Sequence, residues 1–423
     1  MIGDFYSLNS KLLSISEEAM QLVLKRFNEI DEVTEYNQQK MLYAFQKAKV
    51  SESFFAASTG YGYDDRGRDA LDEVYKTFFD SEDALVRHNF VSGTHALTVA
   101  LFGVLRPNDT MLCVTGAPYD TLRGVIGIDS DYSGSLKDFK INYEQIELDK
   151  DGKPDYDAIR DCISEKHKMI YIQRSRGYTL RPSLLNSEIR HIAEIAKEKS
   201  SNCIVMLDNC YGEFVEKESP ISCGVDLMAG SLIKNPGGGI APTGGYIVGN
   251  KDLVTKCSYR LTTPGTGKEL GATLGINREL FMGTFHAPHV TGEALKTAVF
   301  AAALFELLGY EVSPRYDESR ADIIEVLKLQ NEQALIAFCK GIQSGAPVDS
   351  FVSPEPWDMP GYDSKVIMAA GAFTLGGSVE LSADAPLREP YAAWMQGGLN
   401  FHSGKLGVLL AAQSMFNAGL LKI

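Results

Sequence analysis

The sequence predicts an α/β protein: a mainly parallel central sheet covered by helices, with a helical arm before it and a smaller α+β portion after it. Three observations carry this. Between residues 90 and 250, short apolar runs alternate with stretches of helical periodicity, the pattern of strands joined by helical crossovers. Residues 10–49 are polar, with apolar positions at helical spacing and no strand-like alternation. After about residue 290 the order changes to helices followed by short strands. The expected division is a helical arm over 1–55, a large domain over 56–290 and a small domain over 291–423.

The elements follow in order. Leu12, Leu13, Ile15, Met20, Leu22, Val23 and Leu24 imply amphipathic helices. Residues 51–70, with Gly60-Tyr61-Gly62-Tyr63-Asp64-Asp65-Arg66-Gly67-Arg68, carry turn chemistry and read as a loop, with a helix from about Ala70 to Phe79. Ser92-Gly93-Thr94-His95 opens an apolar helix that stops before Pro107. Strands are expected at 110–115, 168–173, 203–208, 225–233 and 244–249. A helix through Ile189, Ile192, Ile195 and Ala196 lies between the second and third of these, with Ser187 as its N-cap. Beyond them come a helix at Ala294–Leu308, another near 318–345, a Pro-containing loop at 353–363, short strands near 366–381 and a final helix from about Leu387 or beyond.

Composition excludes some classes. An apolar fraction of 44% with 23% charged residues is that of a globular protein. No apolar run reaches the roughly 18 residues of a membrane helix, and the N-terminal residues do not read as a secretory signal, so a cytoplasmic location is expected. Forty-one basic against 55 acidic residues give a formal charge of −14, which argues against nucleic acid or anionic membrane as a partner. Seven cysteines without a Cys-x-x-Cys motif read as reduced core residues, Cys210 being the one nearest the candidate site. The histidines form no metal-ligand spacing, and His286-Ala-Pro-His289 reads as a loop.

Asp208 ends one apolar run, and Lys234 follows the next within Ser231-Leu-Ile-Lys-Asn-Pro-Gly-Gly-Gly. In parallel sheets ligands sit beyond the carboxyl ends of the strands, so the topology brings the two together. An acid and a lysine so placed are what pyridoxal 5'-phosphate (PLP) requires. The amine forms a Schiff base with the aldehyde, and the carboxylate keeps the pyridine nitrogen protonated. The start of the helix at Gly93 and Thr94, with His95 beside it, suits a phosphate. Ser231 offers a hydroxyl to the same group, and Tyr119, at another strand end, offers a ring to stack on the pyridine.

These segments make the resemblance specific. GYGYDDRGRDALDEVY at 60–75, VSGTHAL at 91–97, GAPYDTL at 116–122, IQRSRGYTLRPSL at 172–184, LDNCYGEF at 207–214, SLIKNPGGGIAPTGGYIVG at 231–249 and GSVELSADAPLREPY at 377–391 span most of the chain. The sequence resembles the methionine gamma-lyase-like, or aluminium-resistance, family of fold-type-I PLP enzymes, distant relatives of the cystathionine beta- and gamma-lyases. The resemblance implies the fold-type-I architecture, with Lys234 as Schiff-base lysine and proton shuttle, Asp208 on the ring nitrogen, Tyr119 on the ring, and Gly93, Thr94 and Ser231 at the phosphate. It also implies that a neighbouring subunit completes the phosphate site through Tyr61 or Tyr63 with Arg66 or Arg68, and hence a homodimer or homotetramer. Arg388 is the candidate for the substrate carboxylate, with Arg174 or Arg176 as competitors. The activity implied is carbon–sulfur lysis of a cystathionine-, methionine- or cysteine-like amino acid by beta or gamma elimination. The rivals are an aminotransferase, gamma-replacement or aldolase reaction on the same frame, or a PLP-binding stress or regulatory protein. To act as a base Lys234 must be uncharged, and its burial beside the cationic Schiff-base system is expected to favour that.

Overall fold

The computed structural model describes residues 5–129, 132–358 and 364–423. They fall into two compact units, one of Asn37–His286 and one of the residues up to Tyr36 with Ala287–Ile423. The sequence opens with α1 (Ser10–Lys47), one 38-residue helix where several were expected. Among the described residues, no helix is long and apolar enough to cross a membrane.

The larger unit is built on a seven-stranded sheet. Its strands are β1 (Asp83–Arg87), β2 (Thr110–Cys113), β3 (Asn142–Gln145), β4 (His167–Gln173), β5 (Ile204–Asp208), β6 (Leu227–Ser231) and β7 (Gly245–Gly249). Their order is β1-β7-β6-β5-β4-β2-β3. The pairs from β3 to β6 are parallel, while β7 runs antiparallel to both β6 and β1. The mainly parallel sheet is therefore as expected, with five strands near their expected places. The two missed strands carry weak signals: β3, Asn-Tyr-Glu-Gln, is a polar edge strand, and β1 is five residues long with a charge at each end.

The helices of this unit start where caps allow. α2 (Arg66–Phe78) begins four residues before the expected Ala70, because the Asp65 carboxylate accepts the Arg68 N–H at 2.9 Å. α3 (Gly93–Val104) is capped by Ser92, whose hydroxyl accepts the His95 N–H at 3.1 Å. α4 (Asp120–Ile126) and α5 (Tyr156–Cys162) are short. α6 (Asn186–Lys199) corrects the expected cap. Ser187 lies inside its first turn, and Leu185 stands at the cap position with its N–H bound to the Glu188 carboxylate at 2.8 Å. α7 (Lys251–Leu261) packs with α3 over one face of the sheet, in a core that joins Leu97, Leu101, Val254 and Cys257 to Met206, Ala229 and Ile247. Ile189, Ile192, Ile195 and Ala196 of α6 are buried outside that core.

α8 (Asn277–Leu307) contains Pro288. His286-Ala-Pro-His289 is therefore helical and not the expected loop. A proline removes one helical hydrogen bond, but the turn before it is held by Phe281 and Phe285, whose rings meet Phe45 edge-on at centroid distances of 5.8 and 5.6 Å.

The other unit holds a five-stranded antiparallel sheet of β8 (Glu311–Ser313), β9 (Ile324–Lys328), β10 (Val366–Ala370), β11 (Ser382–Pro386) and β12 (Ala392–Gln396), in the order β10-β11-β12-β9-β8. Its helices include α9 (Glu332–Ser344) and α10 (Phe401–Asn417). One expectation fails here. The helix placed over 318–345 is β9 followed by α9, since short apolar runs fit either structure. The final helix starts at Phe401, beyond Leu387, after the strand Ala392–Gln396. Of the loop expected at 353–363, residues 359–363 lie outside the described residues.

Candidate active site

Strand register orients the first side chains. Asp208, the last residue of β5, pairs with Ala229 of β6, and Ser231 lies two residues on from Ala229. Side chains alternate along a strand, so Asp208, Ala229 and Ser231 share the face that packs against α3. Gly93, the first residue of α3, stands over that face: a Cβ there would lie 3.3 Å from Ser231 Cβ and 3.5 Å from Cys210 Sγ. The start of α3, with its free N–H groups, thus meets the ends of β5 and β6.

The proposed phosphate hydroxyl has a telling state. Ser231 Oγ is buried and has no hydrogen-bond partner, and it lies 4.0 Å from the Cβ position of Gly93. A buried hydroxyl without a partner costs about 1–3 kcal/mol, so an acceptor bound between it and α3 would relieve that cost. Thr94 Oγ1 contacts Tyr119 Oη at 2.7 Å and Thr121 Oγ1 at 2.9 Å, which ties the Tyr119 ring to the same helix start. The Tyr119 N–H donates to Gln173 Oε1 at 2.8 Å. His95 Nδ1 accepts the Val91 N–H at 3.2 Å, and burial followed by the Arg260 charge pushes its pKa down, keeping the ring neutral.

Lys234 Nζ stands 3.8 Å from the centroid of the Tyr211 ring. Burial pulls its pKa down, but Cys210, Tyr211, Asp208 and Tyr119 together outweigh burial and the net shift is upward. In the protein alone this direction favours the protonated amine; the neutral amine is the expectation for Lys234 beside the cationic Schiff-base system. Asp208, 4% exposed, is shifted up by burial against the opposing effects of Lys234 and of the Cys210 N–H, which it accepts at 3.1 Å. The Cys210 thiol is pushed far up by burial and by the Asp208 charge, so it is no thiolate nucleophile.

Sequence reasoning missed the turn after Asp208. Tyr211 and Phe214 have φ of 69° and 65°, the left-handed region that non-glycine residues rarely enter. Asn235 Nδ2 donates to the carbonyls of both Tyr211 and Glu213 at 3.0 Å, fastening this turn to the residue after Lys234. Glu213 is 1% exposed and accepts the Tyr246 hydroxyl at 2.7 Å. The signal for it was present: an acid between Gly212 and the apolar Phe214-Val215, five residues past a strand end.

The remaining candidates have partners of their own or lie exposed. Tyr61 and Tyr63 are 73% and 60% exposed, with ring centroids 5.7 Å apart. Arg66 is exposed against Phe54 and Ser53. Arg68 is buried and donates to the carbonyls of Gly62 and Gly271 at 2.7 and 3.1 Å, clasping the loop that presents the two tyrosines. Arg174 is engaged with Asn209 at 2.9 Å and Glu216 at 2.5 Å. Arg176 is buried. Arg388 belongs to the other unit, exposed in the turn between β11 and β12.

Among the described residues, Glu144, Cys162 and His167 bring possible metal-ligand atoms within 4.8 Å of one another. His167 accepts the Ser164 N–H at Nδ1, so its Nε2 carries the proton facing Glu144 at 3.1 Å, and neither nitrogen offers a metal a lone pair.

The donor set has the chemistry PLP needs: an unpartnered hydroxyl beside a helix start, a carboxylate at one strand end, an amine in the loop after the next, and an aromatic ring fastened to the same helix start. Comparison with known proteins agrees with that fit. A family model described as methionine gamma-lyase matches residues 12–416. An uncharacterized Bacillus subtilis protein, YnbB, is 50% identical over 394 residues, covering 93% of this chain and 94% of its own. A solved carbon–sulfur lyase involved in aluminum resistance from Clostridium novyi superposes with a TM-score of 0.92 at 52% identity, covering 96% of each chain. A proposed cystathionine beta-lyase involved in aluminum resistance from Clostridium acetobutylicum gives 0.95 at 51% identity, covering 98% of this chain and 97% of its own. A PLP-dependent Escherichia coli protein, YhfS, shares the fold at 14% identity, with a TM-score of 0.60 over 92% of this chain and 97% of its own. The chain belongs to the methionine gamma-lyase family and has the fold of the fold-type-I PLP enzymes.

Proposed function

We propose that the protein is a PLP-dependent carbon–sulfur lyase that acts on a cystathionine-, methionine- or cysteine-like amino acid by beta or gamma elimination. The observation that carries this reading is the unpartnered Ser231 hydroxyl and Asp208 on the sheet face that meets the start of α3, with Lys234 within electrostatic reach of Asp208. When bound, PLP supplies the electron sink that makes removal of an α proton feasible.

The residues of the chain do the rest. Ser231 Oγ and the N–H groups of Gly93 and Thr94 hold the phosphate, with His95 packed behind them. Asp208 faces the ring nitrogen as a carboxylate, and its low exposure strengthens that charge pairing. Tyr119 covers one face of the ring. Lys234 Nζ anchors the cofactor and takes the proton from the substrate α carbon; for that it must first give up the proton that its acidic neighbours favour. Arg388, with Arg174 or Arg176 as alternatives, receives the substrate carboxylate. Tyr61, Tyr63, Arg66 and Arg68 complete the phosphate site of a neighbouring subunit. The location consistent with this chemistry and composition is the cytoplasm.

An absorbance scan of the purified protein, titrated in turn with cystathionine, cysteine and methionine, tests the reading. We expect a visible PLP band that changes with substrate, and release of a 2-oxo acid, ammonia and a thiol without any added amino acceptor. Lys234→Ala should lose both. Turnover that depends on an added 2-oxo acid acceptor would instead make the protein an aminotransferase, and bound PLP without turnover would support a regulatory role.

A further inference from the structure

Behind the site, on the other face of the sheet, lies a carboxyl group that the proposed reaction does not use. Gly230 and Tyr246 are directly opposed on β6 and β7, and both point away from the face that carries Asp208 and Ser231. A Cβ on Gly230 would lie 2.5 Å from both Glu213 Oε1 and the Tyr246 ring, so the absence of a side chain at 230 makes room for the Glu213–Tyr246 pair. Glu213 is 1% exposed. One of its oxygens takes the Tyr246 hydroxyl at 2.7 Å; the other is buried without a partner. Tyr246 is itself sandwiched, stacked on Phe79 at 5.5 Å and tilted against Tyr75 at 5.6 Å. An ionised carboxylate in such an enclosure needs a cation or several donors; Glu213 has the Tyr246 hydroxyl, a backbone N–H and the Lys234 charge, which together do not offset burial.

We infer that Glu213 is a further positioning residue of this site: an acid kept uncharged behind β6, whose ionisation changes the hold of Lys234 on its proton. Within electrostatic reach of it are Tyr246 from β7, Tyr75 from α2, Asp208 at the end of β5, and Cys210 and Lys234 from the flanking loops. Burial moves its pKa up to about 8, against the lowering effects of the Tyr246 hydrogen bond and the Lys234 charge. Asn235 links the Glu213 backbone to the Lys234 loop, so charge and geometry reach the lysine together. Glu213 also lines a cavity of about 20 Å³ with Asn209 and Arg174, and Lys40, Glu216, Lys217 and Glu218 line the same cavity. That space holds about one water, enough to pass the Glu213 proton towards solvent.

This rests on the assignment of Lys234 as the PLP lysine, and Glu213→Gln in the PLP-loaded protein separates the two claims. The first readout is thermal stability against pH. An acid whose pKa is raised by folding stabilises fully below its unfolded value and loses that contribution as pH rises towards the folded one. Wild type should therefore lose stability relative to Glu213→Gln from about pH 4.5 to about pH 8, and level off above. A difference that is flat, or that grows in favour of wild type with pH, means an ionised Glu213 and overturns the inference.

The second readout is the visible PLP band against pH. We expect an inflection near pH 8 in wild type that Glu213→Gln lacks. Superimposable curves would make Glu213 purely structural and equally overturn the inference. Tyr246→Phe, which removes a hydrogen bond that lowers the Glu213 pKa, should move both features to higher pH and serves if Glu213→Gln fails to fold. No visible band in any variant would count against the Lys234 assignment, while the stability profile still decides the charge of Glu213.

Discussion

Ser231 shows how a single residue can declare a ligand. Its hydroxyl is buried without a partner beside the start of α3, so the protein bears a cost that only a bound acceptor recovers. Removing it should affect binding and stability in opposite directions. Ser231→Ala should weaken PLP binding about 10- to 100-fold, the range for one hydrogen bond to a charged group, in an equilibrium absorbance titration. The PLP-free variant should melt no lower than wild type. Equal affinity in the two proteins would remove Ser231 from the phosphate site. The sequence made Asp208, Lys234, Ser231, Gly93 and Tyr119 legible, because each stands at a strand end or a helix start where parallel sheets gather ligands. It left Glu213, Tyr211 and Asn235 hidden, because their significance comes from a left-handed turn and from burial between strands, neither of which leaves a periodic trace.

At the scale of elements, α2 is locked to β1 by a buried ion pair. Asp72 Oδ1 accepts the Val86 N–H and Arg87 Nη1, each at 2.7 Å, and Lys268 lies 3.4 Å from the other oxygen. Both Asp72 and Arg87 are almost wholly buried. Asp72→Ala should therefore cost about 3–5 kcal/mol, the penalty for leaving a buried partner charge uncompensated, measured by chemical denaturation of the PLP-free protein. A loss below 1 kcal/mol would mean that water reaches the pair. The elements that could be read were those with long periods or clear caps, such as α1, α3, α6 and the strands β2, β4, β5, β6 and β7. Those missed or misread were short: the polar edge strand β3, the strand β12, the strand β9 taken for helix, and the segment around Pro288 taken for a loop because a proline usually ends a helix.

At the scale of the whole molecule, the chain presents surface that a single copy does not use. Tyr61 and Tyr63 lie side by side and exposed, on a loop that Arg68 clasps from beneath, and Leu274, 69% exposed, follows Thr273 in the strand of chain bonded to Ser58. A rigidly held, aromatic loop facing solvent fits a role in a second copy's site. Light scattering should accordingly give a dimer or tetramer, and Tyr61→Ala with Tyr63→Ala should lower PLP occupancy. A monomer with full PLP occupancy would contradict that assembly. The central claim, that PLP is carried on Lys234, has a more direct test. Borohydride reduction of the PLP-loaded protein, followed by proteolysis and mass spectrometry, should place one pyridoxyl phosphate on the peptide that contains Lys234. A label on any other lysine, or none in a protein shown to hold PLP, would contradict the account.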